Sequence, residues 1–511
     1  MGTSAPHYAG MTQIPARRAD LMLEGEGDST AVMDPVLGRR IRLGAVGGAI
    51  LRALDAARDL DGLAAVVEMP TGQVEAALRG LEGLRLLDTE SARQVVHDAE
   101  AVSAVSQADA ATVPLLIRED ARFGCTMCGS CCGGHNIGPV AVDIVQGLSD
   151  VSEALAETTG TEKGLFFKVP VGAGGSREEQ VVCHSSGGSC VFLNEERLCS
   201  IHAAYGPEKK PRVCRLFPYQ FIATPKGIAV SLQMECRGFN EARAGKPVIE
   251  QEAELRSLLA LVPSLRRVRP VIMLDGLTPT SYEVYEGLED AMHAAIDEHT
   301  DDPLSALLAM RALTETARGV DPDAPCEGTD IASLQGDLDE LVDALLQTVG
   351  ALHRHYQRDD EQSVVHTETL DELAVAAMGV RPDWARVSRP LDRADQRSLF
   401  REVMHHHLMG KELTNSRTLV LGVARTAFGW LVGKALMVAR ARQVKRRHLV
   451  TQDVMDAVVV TNFLLRNVGF LSAFQRHDQA VVSLFYDRLP ALLAAGGELA
   501  DPDRRVEFYK F

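Results

Sequence analysis

Four cysteines within eight residues, Cys125, Cys128, Cys131 and Cys132, constrain this chain more than any other feature. They sit in Phe123-Gly-Cys-Thr-Met-Cys-Gly-Ser-Cys-Cys132, and five more follow at Cys183, Cys190, Cys199, Cys214 and Cys236. Of the ten cysteines in 511 residues, only Cys326 stands apart. Thiols this dense are expected to hold metal, and metal rather than a large apolar core is then expected to organise this part of the chain. The first stretch carries no apolar run of the signal-peptide kind, so a reducing cytoplasm is expected, which disfavours a disulfide framework.

Spacing narrows the chemistry. Cys125-x2-Cys128-x2-Cys131 places three thiolates in one tight loop, where zinc sites more often pair two separate C-x2-C knuckles. Three close cysteines plus a distant fourth is how ferredoxin-like segments hold a cubane iron–sulfur cluster. Enzymes that cleave S-adenosylmethionine by radical chemistry use a wider first gap on a strand–helix barrel, and this chain has neither. Cys132, beside Cys131, cannot easily face the same centre and is better placed to serve a second one. Adding Cys190, Cys199, Cys214 and Cys236 gives eight thiols, enough for two cubanes or two all-cysteine zinc sites. Cys183 and Cys326 are expected not to ligate. His135, His184 and His202 lie close enough in sequence to replace a thiolate, although a hydrogen bond to a nearby carbonyl is the simpler role. Arg212 and Arg215 flank Cys214, where cations favour deprotonation.

The expected class is mainly α, with a small α+β N-terminal domain and an irregular, metal-organised cysteine-rich domain. Hydrophobic content of 46% allows two to four domains. Residues 1–20 read as disordered and 21–88 as a small winged-helix-like or peptide-recognition domain. Strands across Leu21–Leu43 lead to a helix over Ala45–Arg58, a short one over Leu63–Val67, and a third capped by Thr71 with Val74, Leu78 and Leu81 on one face. Residues 89–115 read as a linker or a loose helix, 116–245 as the cysteine-cluster domain, and 250–511 as helical. Apolar spacing there marks Leu255–Leu261, Leu304–Leu313, Leu334–Leu352, Leu399–Leu408, Leu419–Val438 and Val454–Phe474. A strand-like stretch covers Val268–Leu274. Thr418–Ala439 carries Arg425 and Lys434, so it reads as a buried helix rather than a membrane span. The net charge of −17 disfavours nucleic acid as a partner. His405, His406 and His407 lie about 100° apart on a helix and cannot share an ion. They are assigned to solvent and core-edge positions. The Gly172–Gly175 cluster reads as a loop, and Trp384 and Trp430 as core.

Phe123–Cys132, Asp143-Ile144, Cys190-Val-Phe-Leu193, Leu198-Cys-Ser-Ile-His202 and Pro211-Arg-Val-Cys-Arg-Leu-Phe-Pro218 together resemble the CxxCxxCC cysteine-cluster family, which is zinc- or iron-chelating and includes flagellin lysine N-methylases. The resemblance implies metal binding by Cys125, Cys128, Cys131, Cys132, Cys190, Cys199, Cys214 and Cys236. Glu402–Leu408, Thr418–Ala439 and Asp453–Phe474 look like the helical region of those methylases. That implies methyl transfer from S-adenosylmethionine to lysine, with one or two 4Fe–4S clusters as the metal group. Gly38–Leu43 and Leu81–Leu87 resemble small peptide-recognising domains, which implies a protein or peptide substrate. The expectation is therefore a cytoplasmic iron–sulfur enzyme that N-methylates a lysine of a protein or peptide. The alternatives are a non-catalytic zinc- or iron-binding scaffold and a redox enzyme acting on a peptide.

Overall fold

The computed structural model describes residues 13–25, 29–132, 137, 140, 142–149, 166–170, 179–183, 185–186, 189–269, 271–276, 279–299, 303–322, 393–443, 445–446, 449–466 and 475–488. Cys326, His135, His184, Gly172–Gly175, Trp384 and Leu334–Leu352 lie outside the described residues. The chain is mostly helical, with a few small sheets.

The N-terminal module is a three-stranded antiparallel sheet, β1 (Met22–Glu24), β2 (Ser29–Asp34) and β3 (Arg39–Gly44), in that spatial order. Three helices follow: α1 (Ala45–Ala53), α2 (Leu60–Val67) and α3 (Thr71–Gly83). Ile50, Leu51, Leu63, Val74, Leu78 and Leu81 close one small core. Pro70, not Thr71, is the cap residue of α3, and it makes no side-chain capping hydrogen bond.

Residues 13–20 are ordered, contrary to expectation. Ile14 exchanges backbone hydrogen bonds with Arg58, and the Arg17 amide donates to the Leu54 carbonyl at 2.7 Å. Arg18, buried beneath the sheet, forks onto Asp34 at 3.0 and 3.1 Å. A buried guanidinium needs such partners, and they fix the segment. Residues 89–115 also differ from a linker, because Glu90–Gln107 form an 18-residue helix, α4. The Thr89 hydroxyl caps it, and Ala92, Val95, Ala99 and Val102 are buried. Asp98 on the same face accepts from the Tyr282 amide at 2.9 Å.

The central sheet is a hairpin of Tyr219–Thr224 and Gly227–Leu232, flanked by parallel two-residue strands Arg266–Arg267 and Leu115–Leu116. Every residue of the hairpin is buried. Its Phe221, Ile228 and Val230 share one core with Leu399, Val423 and Val454 of the C-terminal helices. The end of the cysteine-bearing segment is therefore built into the main apolar core rather than standing free on metal. The expected helices appear as Glu252–Leu259, Pro303–Arg318, Ala394–Met409, Leu419–Gln443 and Thr451–Arg466. No helix among the described residues is long and apolar enough to cross a membrane.

The three adjacent histidines diverge, but into protein rather than solvent. His405 stacks on His293 with Nδ1 atoms 2.7 Å apart, and its Nε2 lies 3.0 Å from Asp297. His406 meets the edge of Phe239, and His407 contacts Thr426. Burial, joined by the charges of His405 and Arg118, lowers His293 to about 3. Burial and Arg118 lower His405 to about 4, and burial lowers His406 to about 3. These imidazoles stay neutral in the fold, while in the unfolded chain they charge below the ordinary value near 6.5. Stability is then fully present above that value and falls as pH drops towards about 4. Urea midpoints measured across this range should fall with acidification. The double variant His293→Gln/His405→Gln should show a shallower fall, and an unchanged slope would contradict the assignment.

Candidate metal centre

The entry to the cysteine loop is clamped to its exit. Arg122–Phe123 pair antiparallel with Lys246–Pro247, and the Gly124 amide donates to the Ala242 carbonyl at 2.8 Å. This ladder brings Cys125 near the turn that carries Cys236, although 111 positions separate them in sequence. In that turn the Phe239 amide donates to the Cys236 carbonyl at 2.9 Å. Gly238 lies against Cys128, where an added Cβ would stand 2.8 Å from Sγ.

Cys131 and Cys132 fall in a single 3-10 turn, Ser130–Cys132. The loop before it turns through Gly129 at φ +69°, where an added Cβ would meet the Arg197 carbonyl oxygen at 2.7 Å. Arg197 returns a hydrogen bond from Nε to the Cys128 carbonyl at 2.9 Å. Arg197 belongs to a tight loop in which the Asn194 side chain accepts from the Leu198 amide and Leu193 bridges to Cys199. That loop brings Cys190 and Cys199 to one side. Cys199 opens the helix Ser200–Tyr205, and Cys214 sits in the helix Arg212–Leu216.

Two neighbourhoods result. Cys132, Cys190, Cys199 and Cys214 share an apolar cluster with Ile137, Val140, Leu148, Val191, Phe192 and Ile201. Cys132 is pushed well up by the hydrogen bond it gives Cys131, by burial, and by the charges of Cys131, Cys190 and Cys214. Burial and the charge of Cys190 push Cys214 up strongly. In the other neighbourhood, burial and then Cys131, Cys128 and Cys125 push Cys236 up to about 12. Cys131 stands at the junction. The Cys132 thiol and, less strongly, Lys210 hold it down at about 7 against the opposing effect of burial.

All eight cysteines expected to ligate are free thiols. Cys183 is placed by its backbone alone, in the strand Glu179–Cys183. His202 is exposed on its helix. No three His, Cys, Asp or Glu side chains among the described residues converge closely enough to hold one ion. The donor chemistry nevertheless fits a cation. Partly buried thiols that raise one another's pKa cannot all ionise unless positive charge is placed among them, and a bound metal supplies it. Sequence reasoning assigned the nearby cation to Arg212 and Arg215. The charge that favours ionisation of Cys131 and Cys214 is instead Lys210. The signal for it was Lys209-Lys210-Pro211 immediately before the Cys214 helix.

Residues 124–237 match the family model CxxCxxCC, whose description reads "Putative zinc- or iron-chelating domain". This segment is similar to that family. No curated protein and no solved structure matches the chain. The matched region spans the loop, both neighbourhoods and Cys236, and ends one residue before Gly238. Gly238→Ala should therefore reduce metal bound through the Cys128 set and leave the Cys190 set loaded. Metal content of the variant, and of Cys190→Ser/Cys199→Ser for comparison, checks this. Equal losses from both sites would show that the two sets are not separate.

Proposed function

We propose that the chain holds two thiolate-ligated metal centres, one at Cys125, Cys128, Cys131 and Cys236 and the other at Cys132, Cys190, Cys199 and Cys214. What supports this reading is the apolar cluster shared by Cys132, Cys190, Cys199 and Cys214 together with the influence of Cys131, Cys128 and Cys125 on Cys236. Two adjacent residues of one 3-10 turn cannot easily both serve one tetrahedral centre, so a Cys-Cys pair suits two neighbouring centres better than one.

The finer proposal is that both centres are iron–sulfur clusters, and that the chain modifies a protein or peptide side chain by transferring a methyl group from S-adenosylmethionine to lysine. The resemblance to flagellin lysine methylases supports the reaction. The sheet-and-helix module of β1–α3 supports a polypeptide substrate, because its fold is separate from the metal segment and has its own core. In such a reaction the amine must lose its proton before it attacks the methyl group, so a base must lie beside the acceptor. A cluster would supply a binding point that orients the donor.

Metal and acid-labile sulfide analysis of protein purified without oxygen separates the readings. Two cubanes give about eight iron and about eight sulfide per chain. About two zinc without sulfide would replace the enzyme with a structural scaffold. Calorimetry with S-adenosylmethionine on the iron-loaded chain should show binding that depends on intact clusters. Failure to bind would remove methyl transfer while leaving the metal centres in place.

A further inference from the structure

Behind the Cys214 helix lies a cleft of about 460 Å³. One wall is that helix itself, through Val213 and Leu216. The opposite wall is the buried strand Tyr219–Thr224, and the rim is the segment Val262–Arg266. Its volume suits a small molecule and is too small for a docked helix or domain. Its surface is mainly apolar, from Leu216, Phe217, Ile222 and Val262. Val213, at its mouth, leaves 37% of its surface exposed. Two guanidinium groups enter it, and they differ in availability. Arg266 is committed, with one nitrogen on Glu412 and another on Asn415, each at 2.9 Å. Arg212 has one long hydrogen bond among the described residues, at 3.4 Å to the Leu261 carbonyl, which leaves its fork able to take a planar anion.

We propose that this cleft binds a small organic carboxylate with an apolar body, the carboxylate paired with Arg212 and the body lying along Leu216, Phe217, Ile222 and Val262. One available fork matches one carboxylate, whereas a phosphate dianion would leave charge uncompensated in an apolar cleft. The chain's net charge of −17 repels anions in general, so binding here depends on the local guanidinium rather than on a broad field.

The test uses the full chain, as isolated and after metal removal, titrated by calorimetry with octanoate and with octanamide. Octanoate should bind at least about tenfold more tightly, since only it can form the charge-assisted pair. Arg212→Gln should weaken octanoate about tenfold and leave octanamide unchanged. Val262→Trp, which fills the cleft, should remove both, and Arg215→Gln, outside the lining, should alter neither. Equal affinity for the two probes, no binding of either, or octanoate binding unaffected by Arg212→Gln would overturn the proposal. The comparison of probes on the unmodified chain decides the point even where a variant misfolds. Carboxylate binding that survives metal removal separates this site from the fate of the metal centres.

Discussion

A fully buried hairpin fixes the cysteine segment at its far end, and the rest of the site depends on that anchor. Tyr219–Thr224 and Gly227–Leu232 are buried on both faces, between α4 and the C-terminal helices. The turn carrying Cys236 leaves this hairpin directly, so apolar packing of the hairpin positions it. The short ladder between Phe123 and Lys246 then returns the first cysteine loop to the same place. A flexible segment would lose much conformational entropy in gathering eight ligands. Here part of that cost is met by burial of a core that forms in any case, and the two most distant ligand groups arrive prepositioned.

The electrostatics run in the opposite sense to the packing. Burial and mutual proximity push Cys132, Cys214 and Cys236 up, which disfavours their ionised forms. Cys131 is held down, at about 7, by the thiol of Cys132 and the ammonium of Lys210. A nucleophilic cysteine needs a stable thiolate in an electropositive site. One lowered thiol among several raised ones is instead the pattern expected where ligands await a cation and the first to ionise sits at the junction of both sets. A metal that binds such thiols displaces their protons, so under the proposed reading its affinity rises with pH across the thiol range.

Legibility from sequence followed the range of the interactions. The stripe of Val74, Leu78 and Leu81 and the spacing of the cysteines are local patterns, and both could be read directly. The helix α4 was harder to see, because its buried face includes Ala92 and Ala99, small residues in a run rich in Ala, Ser and Asp that resembles a linker. The hairpin Tyr219–Leu232 shows no clean alternation, since both faces of its strands are covered and even Gln220, Thr224 and Ser231 are buried. The order of residues 13–20 depends on Arg18 reaching Asp34, a contact that no local pattern announces. The division of thiols into two sets depends on the register between Phe123 and Lys246, which spacing cannot supply.

The adjacency of Cys131 and Cys132 carries a further consequence for how the two sets relate. Their sulfurs share a hydrogen bond, so a charge placed on one is felt by the other with little screening. Loading a cation at the Cys125–Cys128–Cys131–Cys236 set would remove the thiolate charge that opposes ionisation of Cys132. The second set would then ionise more readily, and its own cation would return the same benefit by reciprocity. Two separate metal sites far apart in the chain would fill independently. Under the proposed two-centre reading, a Cys-Cys pair in one 3-10 turn couples the two sets without merging them, so loss of metal from one set weakens the other less than it weakens itself.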